Sequence, residues 1–188
     1  VAQRRDGQSA LRGHLSVGVI PSALPMAALM AKEIQARHPE VELTILSHSS
    51  IDILRQLEEF TIDVGVTYLD NEPVEGMRAE PIYMERYCLL VRADHELAGA
   101  SVVTWADAAR QPLCLLTPDM QNRRIIDRAF KAAHADPIPR VESNSVINLI
   151  SNVHLMGLVS VVPEYFLSVL GPMADIRTVP LVEPIVEH

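Results

Sequence analysis

Three apolar segments of the sequence run directly into hydroxyl-bearing residues that precede a helical pattern. The three points are Pro21 and Ser22 after VGVI, residues 47–50 (SHSS) after LTIL, and Thr117 and Pro118 after LCLL. Hydroxyl groups and the free N–H groups of a helix N-terminus can bind a carboxylate or another small anion. In an open parallel sheet, ligands sit beyond the carboxyl ends of the strands. The pattern therefore predicts a cleft for a small, anionic ligand.

Each point taken alone also has a purely structural explanation. Ser and Thr are common N-cap residues, and Pro is common at the first position of a helix. Ser49 with Asp52, and Thr104 with Asp107, have the spacing of a capping box. The recurrence of hydroxyl residues at three equivalent strand ends favours a ligand cleft over capping alone.

Other chemistry has less support in the sequence. The seven histidines form no HExxH pattern and no paired spacing with cysteine, and no phosphate-binding glycine loop or GxSxG motif occurs, so neither a metal nor a cofactor is expected. His48 is either a solvated loop residue or a group that orients a ligand or acts as a base. Cys88 and Cys114 lie in apolar segments and are predicted to be buried free thiols. Arg123 and Arg124 either form a solvated helix face or pair with a carboxylate.

The elements that must position these residues alternate between strand and helix. Strands are predicted at residues 14–20, 41–46 and 62–69, with helices from Leu24 to about Arg37 and after Ser49. Helices of this length between strands imply parallel pairing through right-handed crossovers. A long strand with a polar turn is predicted over residues 81–98. Further units follow, with strands at 112–116, near 139–143 and at 158–163, and helices at 104–109, 125–133, 146–153 and 164–170.

The fold class that follows is α/β, with two Rossmann-like lobes and a cleft between them. The 188 residues, of which 48% are hydrophobic, can form one or two packed lobes. The net charge of −8, from 24 acidic and 16 basic side chains, argues against a non-specific nucleic-acid surface on this chain. No apolar run reaches the roughly 18 residues that a membrane span needs, and residues 1–10 lack the apolar core of a signal peptide, so a cytoplasmic location is expected.

Residues 11–46, LRGHLSVGVIPSALPMAALMAKEIQARHPEVELTIL, resemble the start of the effector-binding domain of LysR-type transcriptional regulators. LRQLEEFTIDVGV, ADHELAG and LVSVVPEYF resemble later segments of that family in the same order. The resemblance covers nearly the whole chain and lies in order and spacing. It implies a type 2 periplasmic-binding-protein-like fold that binds a small carboxylate or other anion between its lobes and carries out no reaction.

The same resemblance implies a division of the chain and a set of functional residues. Residues 1–12 would end a linker from a missing helix-turn-helix domain that binds DNA, 13–85 would form lobe I without its C-terminal completion, and 86–188 would form lobe II and the start of the return hinge strand. The resemblance places ligand-binding residues at Ser22, at Ser49 or Ser50, and at Thr117, Pro118 and Asn122. With Pro21, His48 and Thr67, these are the candidate ligand-binding residues. The implied surface of a homodimer or homotetramer consists of Met26, Leu29, Met30 and Glu33, for which a wider core contact is the alternative.

Two departures from the family pattern bear on the site. HLMGLVS has lost one glycine of the usual GxG before the last strand, and the first loop is short and carries Pro21. Two other functions stay open on the sequence alone. One is a solute-binding protein of a transport system, against which the missing signal peptide weighs. The other is a small α/β enzyme that uses His48 and a nearby serine.

Overall fold

The computed structural model describes residues 11–69 and 76–188, so most of the predicted linker end lies outside the described residues. The strands are Gly13–Val19 (β1), Val41–Ser47 (β2), Val64–Val66 (β3), Tyr87–Arg92 (β4), Val103–Thr104 (β5), Cys114–Leu116 (β6), Val141–Ser143 (β7), Ser160–Pro163 (β8) and Ile176–Val182 (β9). The α-helices are Leu24–Arg37 (α1), Ser50–Glu58 (α2), Trp105–Ala108 (α3), Gln121–Ala132 (α4), Val146–Met156 (α5) and Phe166–Leu170 (α6). A single 3-10 turn, Pro21–Ala23, leads into α1.

The first lobe consists of β1, β2, β3, α1 and α2. Its strands are parallel in the order β2-β1-β3, as the alternation of strands and helices predicts. Because parallel strands end at the same edge of a sheet, the segments after β1 and β2 both reach that edge. The first two predicted ligand-binding points therefore lie side by side.

Two glycines position α2 on this sheet. Gly18 of β1 and Gly65 of β3 are direct neighbours in the parallel register. A Cβ atom would come within 2.7 Å of Ile62 at Gly18 and within 2.5 Å of Ile53 at Gly65. The missing side chains thus allow Ile53 of α2, which is fully buried, to sit directly on the strands. This close approach places the N-terminus of α2, with Ser49 and Ser50, at the sheet edge.

The second lobe contains β4 to β9 and α3 to α6. β4 is antiparallel to both β8 and β9, while β5 is parallel to β9 and β6 is parallel to β7. A parallel bridge between Leu113 and Val159 joins β6 to the four-stranded sheet of order β5-β9-β4-β8. The segments after β6 and β7 lead into α4 and α5. The starts of these two helices are this lobe's contribution to the predicted ligand cleft.

The structure confirms several local predictions. The Ser49 hydroxyl accepts a hydrogen bond from the Asp52 amide, and the Thr104 hydroxyl accepts one from the Asp107 amide, so both residues are the N-caps that the predicted capping boxes require. Cys88 and Cys114 are buried free thiols.

Within residues 11–69 and 76–188, no helix combines the length and apolar character that a membrane crossing needs.

Three local predictions are wrong in whole or in part. The long strand predicted over residues 81–98 is limited to β4. The chain enters turns after Arg92, and before Tyr87 only Glu85 and Arg86 make main-chain bonds to other described segments. The strand predicted over 62–69 is reduced to β3. Ser22 does not cap a helix, since neither the 3-10 turn nor α1 receives a side-chain cap. Its side chain is instead buried beneath the turn.

Candidate functional site

A cleft of about 710 Å³ lies between the two lobes. The first lobe contributes Pro21, Leu24, Pro25, Ala28, Ser47, His48, Ser49 and Asp52 to its lining, and the second lobe contributes Asp119, Met120, Asn144, Ser145, Val146, Ile147, Phe166 and Leu170. A volume of several hundred cubic ångströms suits a small molecule. The segments after β1 and β2 line this cleft, as the strand-end pattern predicts, whereas Thr117 and Pro118 after β6 do not.

Helix starts surround this cleft. Ser49 is the N-cap of α2, Met120 is that of α4 and Ser145 is that of α5, and each of these residues lines the cleft. The first amides of a helix lack partners within the helix and carry the positive end of its dipole. The two lobes therefore direct N–H groups from several helices into one space.

The charged side chains of the cleft are acidic. Asp52 and Asp119 are in its lining, whereas none of the described lining residues is Arg or Lys. The pKa of Asp52 is lowered, first by the hydrogen bond from the Ser49 hydroxyl and then by the Arg55 guanidinium, so Asp52 is ionised at neutral pH. An anion in this cleft would be held by amides and hydroxyl groups rather than by an ion pair.

Three of the sequence-predicted ligand residues line the cleft, namely Pro21, His48 and Ser49. The main-chain N–H of His48 donates a 3.0 Å hydrogen bond to the carbonyl of Val19, which fixes the position of the loop. His48 Nε2 is buried and has no hydrogen-bond partner among the described residues. An unpaired buried polar atom is costly, so His48 is the predicted residue with the clearest unused hydrogen-bonding capacity.

The other six predicted ligand residues are not in the lining of the cleft. Ser22, Ser50, Thr67, Thr117 and Asn122 are at least partly buried, and Pro118 is exposed. Thr67 donates to Gln121 Oε1 at 3.2 Å, and Nη2 of Arg124 lies 3.5 Å from the Ser50 hydroxyl, so both residues form contacts between the lobes. The buried Thr117 hydroxyl lacks a partner within the described part of the chain. Thr67 and Ser50 therefore lie at the lobe interface, and the six residues do not form one ligand surface.

Ser22 and Asn122 meet at a third residue that the sequence did not single out. The Ser22 hydroxyl lies 3.4 Å from the Tyr68 hydroxyl, and Nδ2 of Asn122 donates to the same oxygen at 2.8 Å. Tyr68 also donates to a carboxylate oxygen of Glu85, and its hydroxyl lies 3.1 Å from that of Tyr87. The cluster joins both lobes to the segment that connects them.

Tyr83 and Tyr165 complete this cluster, which then holds all four tyrosines of the chain. The Tyr83 hydroxyl lies 3.3 Å from Oε2 of Glu85 and 3.0 Å from the hydroxyl of Tyr165, which donates to the Ser22 carbonyl at 2.8 Å. Burial of Glu85 raises the pKa of its carboxyl to about 7, although hydrogen bonds from three tyrosines favour the ionised form. We refer to Ser22, Tyr68, Tyr83, Glu85, Tyr87, Asn122 and Tyr165 as the tyrosine cluster.

Sequence reasoning missed this cluster, but one signal for it exists. Tyr83, Glu85 and Tyr87 alternate in the segment YMERY, and alternate residues of an extended chain point to the same side. A carboxylate flanked in this way by two phenols indicates a buried polar site. Tyr68 and Tyr165 have no comparable local signal, because only the tertiary fold brings them to Glu85.

Arg123 and Arg124 differ in their surroundings. Arg123 is buried, contacts Asp127 at 2.7 Å and Glu142 at 2.5 Å, and donates to the Leu116 carbonyl, so the prediction of a carboxylate partner is confirmed. Arg124 donates to the Asp119 carbonyl beside the cleft in addition to its contact with Ser50. Arg123 thus fixes α4 to β6 and β7, whereas Arg124 links α4 to α2.

The residues of the implied dimer surface lie on α1. Leu29 is 42% exposed, and Glu33 is exposed and forms a 3.9 Å ion pair with Arg37. Met26 is half-buried, and Met30 packs against the hydrophobic core. Leu29 and Glu33 are therefore available at the surface, whereas the side chain of Met30 is committed to the core contact.

The fold and the cleft agree with a comparison to known protein families. Residues 8–187 match the family described as LysR substrate binding domain. The chain belongs to this family and is the effector-binding domain of a LysR-type regulator. One curated relative, the HTH-type transcriptional regulator CbbR of Xanthobacter flavus, is 28% identical over 142 residues, which is 72% of this chain and 42% of CbbR. The chain spans less than half the length of this curated relative. Membership of the family does not favour the two alternative functions, a solute-binding protein of a transport system and a small α/β enzyme.

Solved structures show the same fold. The reduced regulatory domain of OxyR from Pseudomonas aeruginosa superimposes with a TM-score of 0.81 at 18% identity, covering 95% of this chain and 87% of that domain. The regulatory domain of CcmR from Synechocystis, solved in complex with 2-PG, gives a TM-score of 0.74 at 19% identity over 92% of this chain and 82% of that domain. Within the described ranges, His, Cys, Asp and Glu side chains form no group of three or more that could hold a metal ion.

Proposed function

We propose that this domain binds a small carboxylate, or a similar small anion, in the cleft between its lobes and relays occupancy of the cleft to DNA binding by a longer protein. The observation that carries the proposal is the convergence of helix starts from both lobes on one cleft of about 710 Å³. The complex of the CcmR regulatory domain with 2-PG supports the binding of a small molecule by this fold.

The composition of the cleft supports one orientation of the ligand, with its carboxylate at the helix starts and the rest of the molecule against an apolar wall. Amides at the starts of α2 and α5, with the hydroxyl of Ser145, suit a single carboxylate group. Leu24, Met120, Val146 and Phe166 form an apolar wall for the rest of the molecule. Asp52 and Asp119 oppose a high negative charge, which favours a monoanion with an apolar body over a multiply charged ligand.

A sensing domain of this kind works only if the ligand prefers one arrangement of the lobes or protomers to another. We propose that residues 13–85 and 86–188 are the two units whose arrangement changes. The proposed functional form is a cytoplasmic homodimer or homotetramer, in which a preceding domain contacts DNA. Leu29 and Glu33 of α1, with the exposed Ile45 and Leu46 of β2, form the proposed dimer surface. Leu29→Glu should weaken self-association in analytical ultracentrifugation without changing the midpoint of ligand binding.

A thermal-shift screen against mono- and dicarboxylates of increasing chain length tests the proposed ligand class, since a ligand of the folded state raises the melting temperature. Ala28 lies in the cleft wall and is solvent-exposed, so Ala28→Trp should fill the cleft without disturbing the core. A carboxylate that stabilises the natural sequence should no longer stabilise this variant.

The matched control is Ala132→Trp, which places the same side chain at an exposed position near the end of α4, outside the cleft lining. This variant should keep the full response to the carboxylate. A response that survives in Ala28→Trp, or a panel in which no carboxylate shifts the melting temperature, would contradict the proposed site or ligand class.

A further inference from the structure

The tyrosine cluster contains a continuous line of hydrogen-bonding groups from one lobe to the other. Tyr165, at the end of β8 in the second lobe, contacts Ser22 of the first lobe and Tyr83 of the connecting segment. Tyr83 contacts Glu85, and Glu85 contacts Tyr68 of the first lobe. Glu85 thus links Tyr68 to Tyr83, beside the direct bonds of Tyr165 to Ser22 and of Asn122 to Tyr68.

The number of protons along this line determines which contacts can form together. A tyrosine hydroxyl has one proton to donate. The carbonyl of Ser22 can only accept, so the proton of Tyr165 is used there. The 3.0 Å contact between Tyr83 and Tyr165 then requires the proton of Tyr83. None is left for the 3.3 Å contact between the Tyr83 oxygen and Oε2 of Glu85, unless Glu85 itself supplies it.

The other carboxyl oxygen of Glu85 has a different role. Oε1 accepts the proton of Tyr68, whose oxygen in turn accepts from Asn122 at 2.8 Å. A carboxyl group that is protonated on Oε2 therefore accepts on one side and donates on the other. In this state every contact from Ser22 through Tyr165, Tyr83 and Glu85 to Tyr68 is satisfied at the same time.

We propose that Glu85 is a proton-controlled latch that holds Tyr83 of the connecting segment to Tyr165 of the second lobe, and that it is fastened when its carboxyl group is protonated and released when the proton leaves to solvent. An ionised Glu85 attracts the proton of Tyr83, because hydrogen bonds to a charged acceptor are the stronger ones. Tyr83 then no longer donates to Tyr165, and the connecting segment loses this side-chain bond to the second lobe. The ligand cleft is adjacent, since Pro21 and Phe166 of its lining directly neighbour Ser22 and Tyr165.

The groups that face Glu85 permit this change of charge. Tyr68 approaches from the segment after β3, Tyr83 and Tyr87 from its own segment, and Tyr165 from the end of β8. His188 pairs with Glu85 through main-chain bonds, and its ring meets that of Tyr68 edge to face. The nearby charges of Arg86 and Glu187 form an exposed ion pair with each other. Burial raises the pKa of the Glu85 carboxyl to about 7, so the carboxyl group titrates close to neutral pH.

The latch can be tested without any effector, which keeps this proposal separate from that of the ligand cleft. All four tyrosines belong to the cluster, so the tyrosine signal in near-ultraviolet circular dichroism reports on the cluster alone. In the full chain this signal should change with a midpoint near pH 7. The infrared band of a protonated carboxyl group should disappear with the same midpoint.

Two variants distinguish the latch from a merely structural cluster. Glu85→Gln accepts from Tyr68 and donates to Tyr83 at every pH, so its tyrosine signal should resemble the acid form and stay constant across the titration. Tyr83→Phe should lose the change in tyrosine signal while the infrared band of Glu85 still titrates. Glu80→Gln, at an exposed position of the same connecting segment, is the control and should titrate like the natural sequence.

The proposal is overturned by a tyrosine signal that does not change between about pH 5 and about pH 9, a range that brackets a carboxyl group titrating near neutrality. A midpoint that persists in Glu85→Gln also overturns it. If Glu85→Gln does not fold, Tyr83→Phe decides the question, since a tyrosine signal that still titrates in that variant contradicts the line of protons described above.

Discussion

The hydroxyl of Tyr165 donates a 2.8 Å hydrogen bond to the main-chain oxygen of Ser22, and the two residues are 143 positions apart in sequence. The bond joins the end of β8 to the turn that starts α1, and therefore the second lobe to the first. Tyr165 is partly buried, and burial together with the charge of Glu85 raises its pKa, so it stays a neutral donor.

We expect Tyr165→Phe to lower the free energy of unfolding by about 1 to 2 kcal/mol, because the Ser22 carbonyl loses its donor in a buried position. Urea denaturation measures the change. Ser22→Ala removes only a hydroxyl 3.4 Å from Tyr68 and leaves the carbonyl in place, so its effect should be smaller. Equal effects of the two substitutions would show that the main-chain bond is not the important contact.

The glycine pair beneath α2 gives a second prediction. Gly65→Ala places a methyl group 2.5 Å from Ile53 and 3.0 Å from Leu57, both on α2. Overpacking of this kind costs about 1 to 3 kcal/mol, and it should displace α2 from the sheet. The melting temperature should fall. Gly99→Ala, where a Cβ atom would meet nothing within 4 Å, should leave the melting temperature within about a degree or two of the natural sequence.

The raised pKa of Glu85 predicts how stability depends on pH. Its ordinary pKa of 4.5 rises to about 7 in the folded state, so the folded protein binds the proton more tightly than the unfolded chain does. The resulting stability is fully present below about pH 4.5 and is lost as the pH rises through about 7, with a slope of at most about 1.4 kcal/mol per pH unit.

Glu85→Gln should remove this slope, while Glu80→Gln should retain it. Urea midpoints measured at a series of pH values for the natural sequence and both variants provide the test. A profile of Glu85→Gln that runs parallel to that of the natural sequence would assign the dependence to another group.

The two cysteines give a fourth prediction, which concerns redox sensing. Burial raises the pKa of the Cys88 thiol to about 12 and that of Cys114 to about 11. Oxidation by peroxide and reaction with disulfide reagents both require a thiolate that is accessible. We therefore expect both thiols of the folded domain to react with a disulfide reagent only as fast as the protein unfolds.

Full reactivity in denaturant is the internal control for that experiment, because it shows that both thiols are present and reduced. Rapid reaction of either cysteine in the native protein would contradict the prediction. The similarity of fold to OxyR thus does not imply a peroxide sensor in this chain.

The sequence predicted the order of the elements and the position of the cleft because both depend on local patterns. Hydrophobic periodicity identifies α1 and α2, and the spacing of Ser49 with Asp52 identifies the start of α2. The position of Ser49 at a strand end then follows from the geometry of parallel sheets.

The roles of Ser22 and Asn122 were not predictable in the same way. Both residues occupy positions next to the cleft, but their side chains are drawn into hydrogen bonds with Tyr68, which is more than 40 residues from either of them. Which partner a buried hydroxyl finds depends on packing between lobes rather than on local sequence. The apolar wall at Phe166 was missed for the same reason, since its sequence context is that of an ordinary buried helix.

One consequence follows from the main chains of Glu85 and His188, whose amides each donate to the other residue's carbonyl, at 2.6 and 3.0 Å. Two chain segments joined at such a crossing cannot slide past each other, yet they can still twist. We therefore expect the crossing to act as a hinge that allows one lobe to rotate against the other. Under the proposed function, a ligand in the cleft would then be signalled as the rotation of a whole lobe.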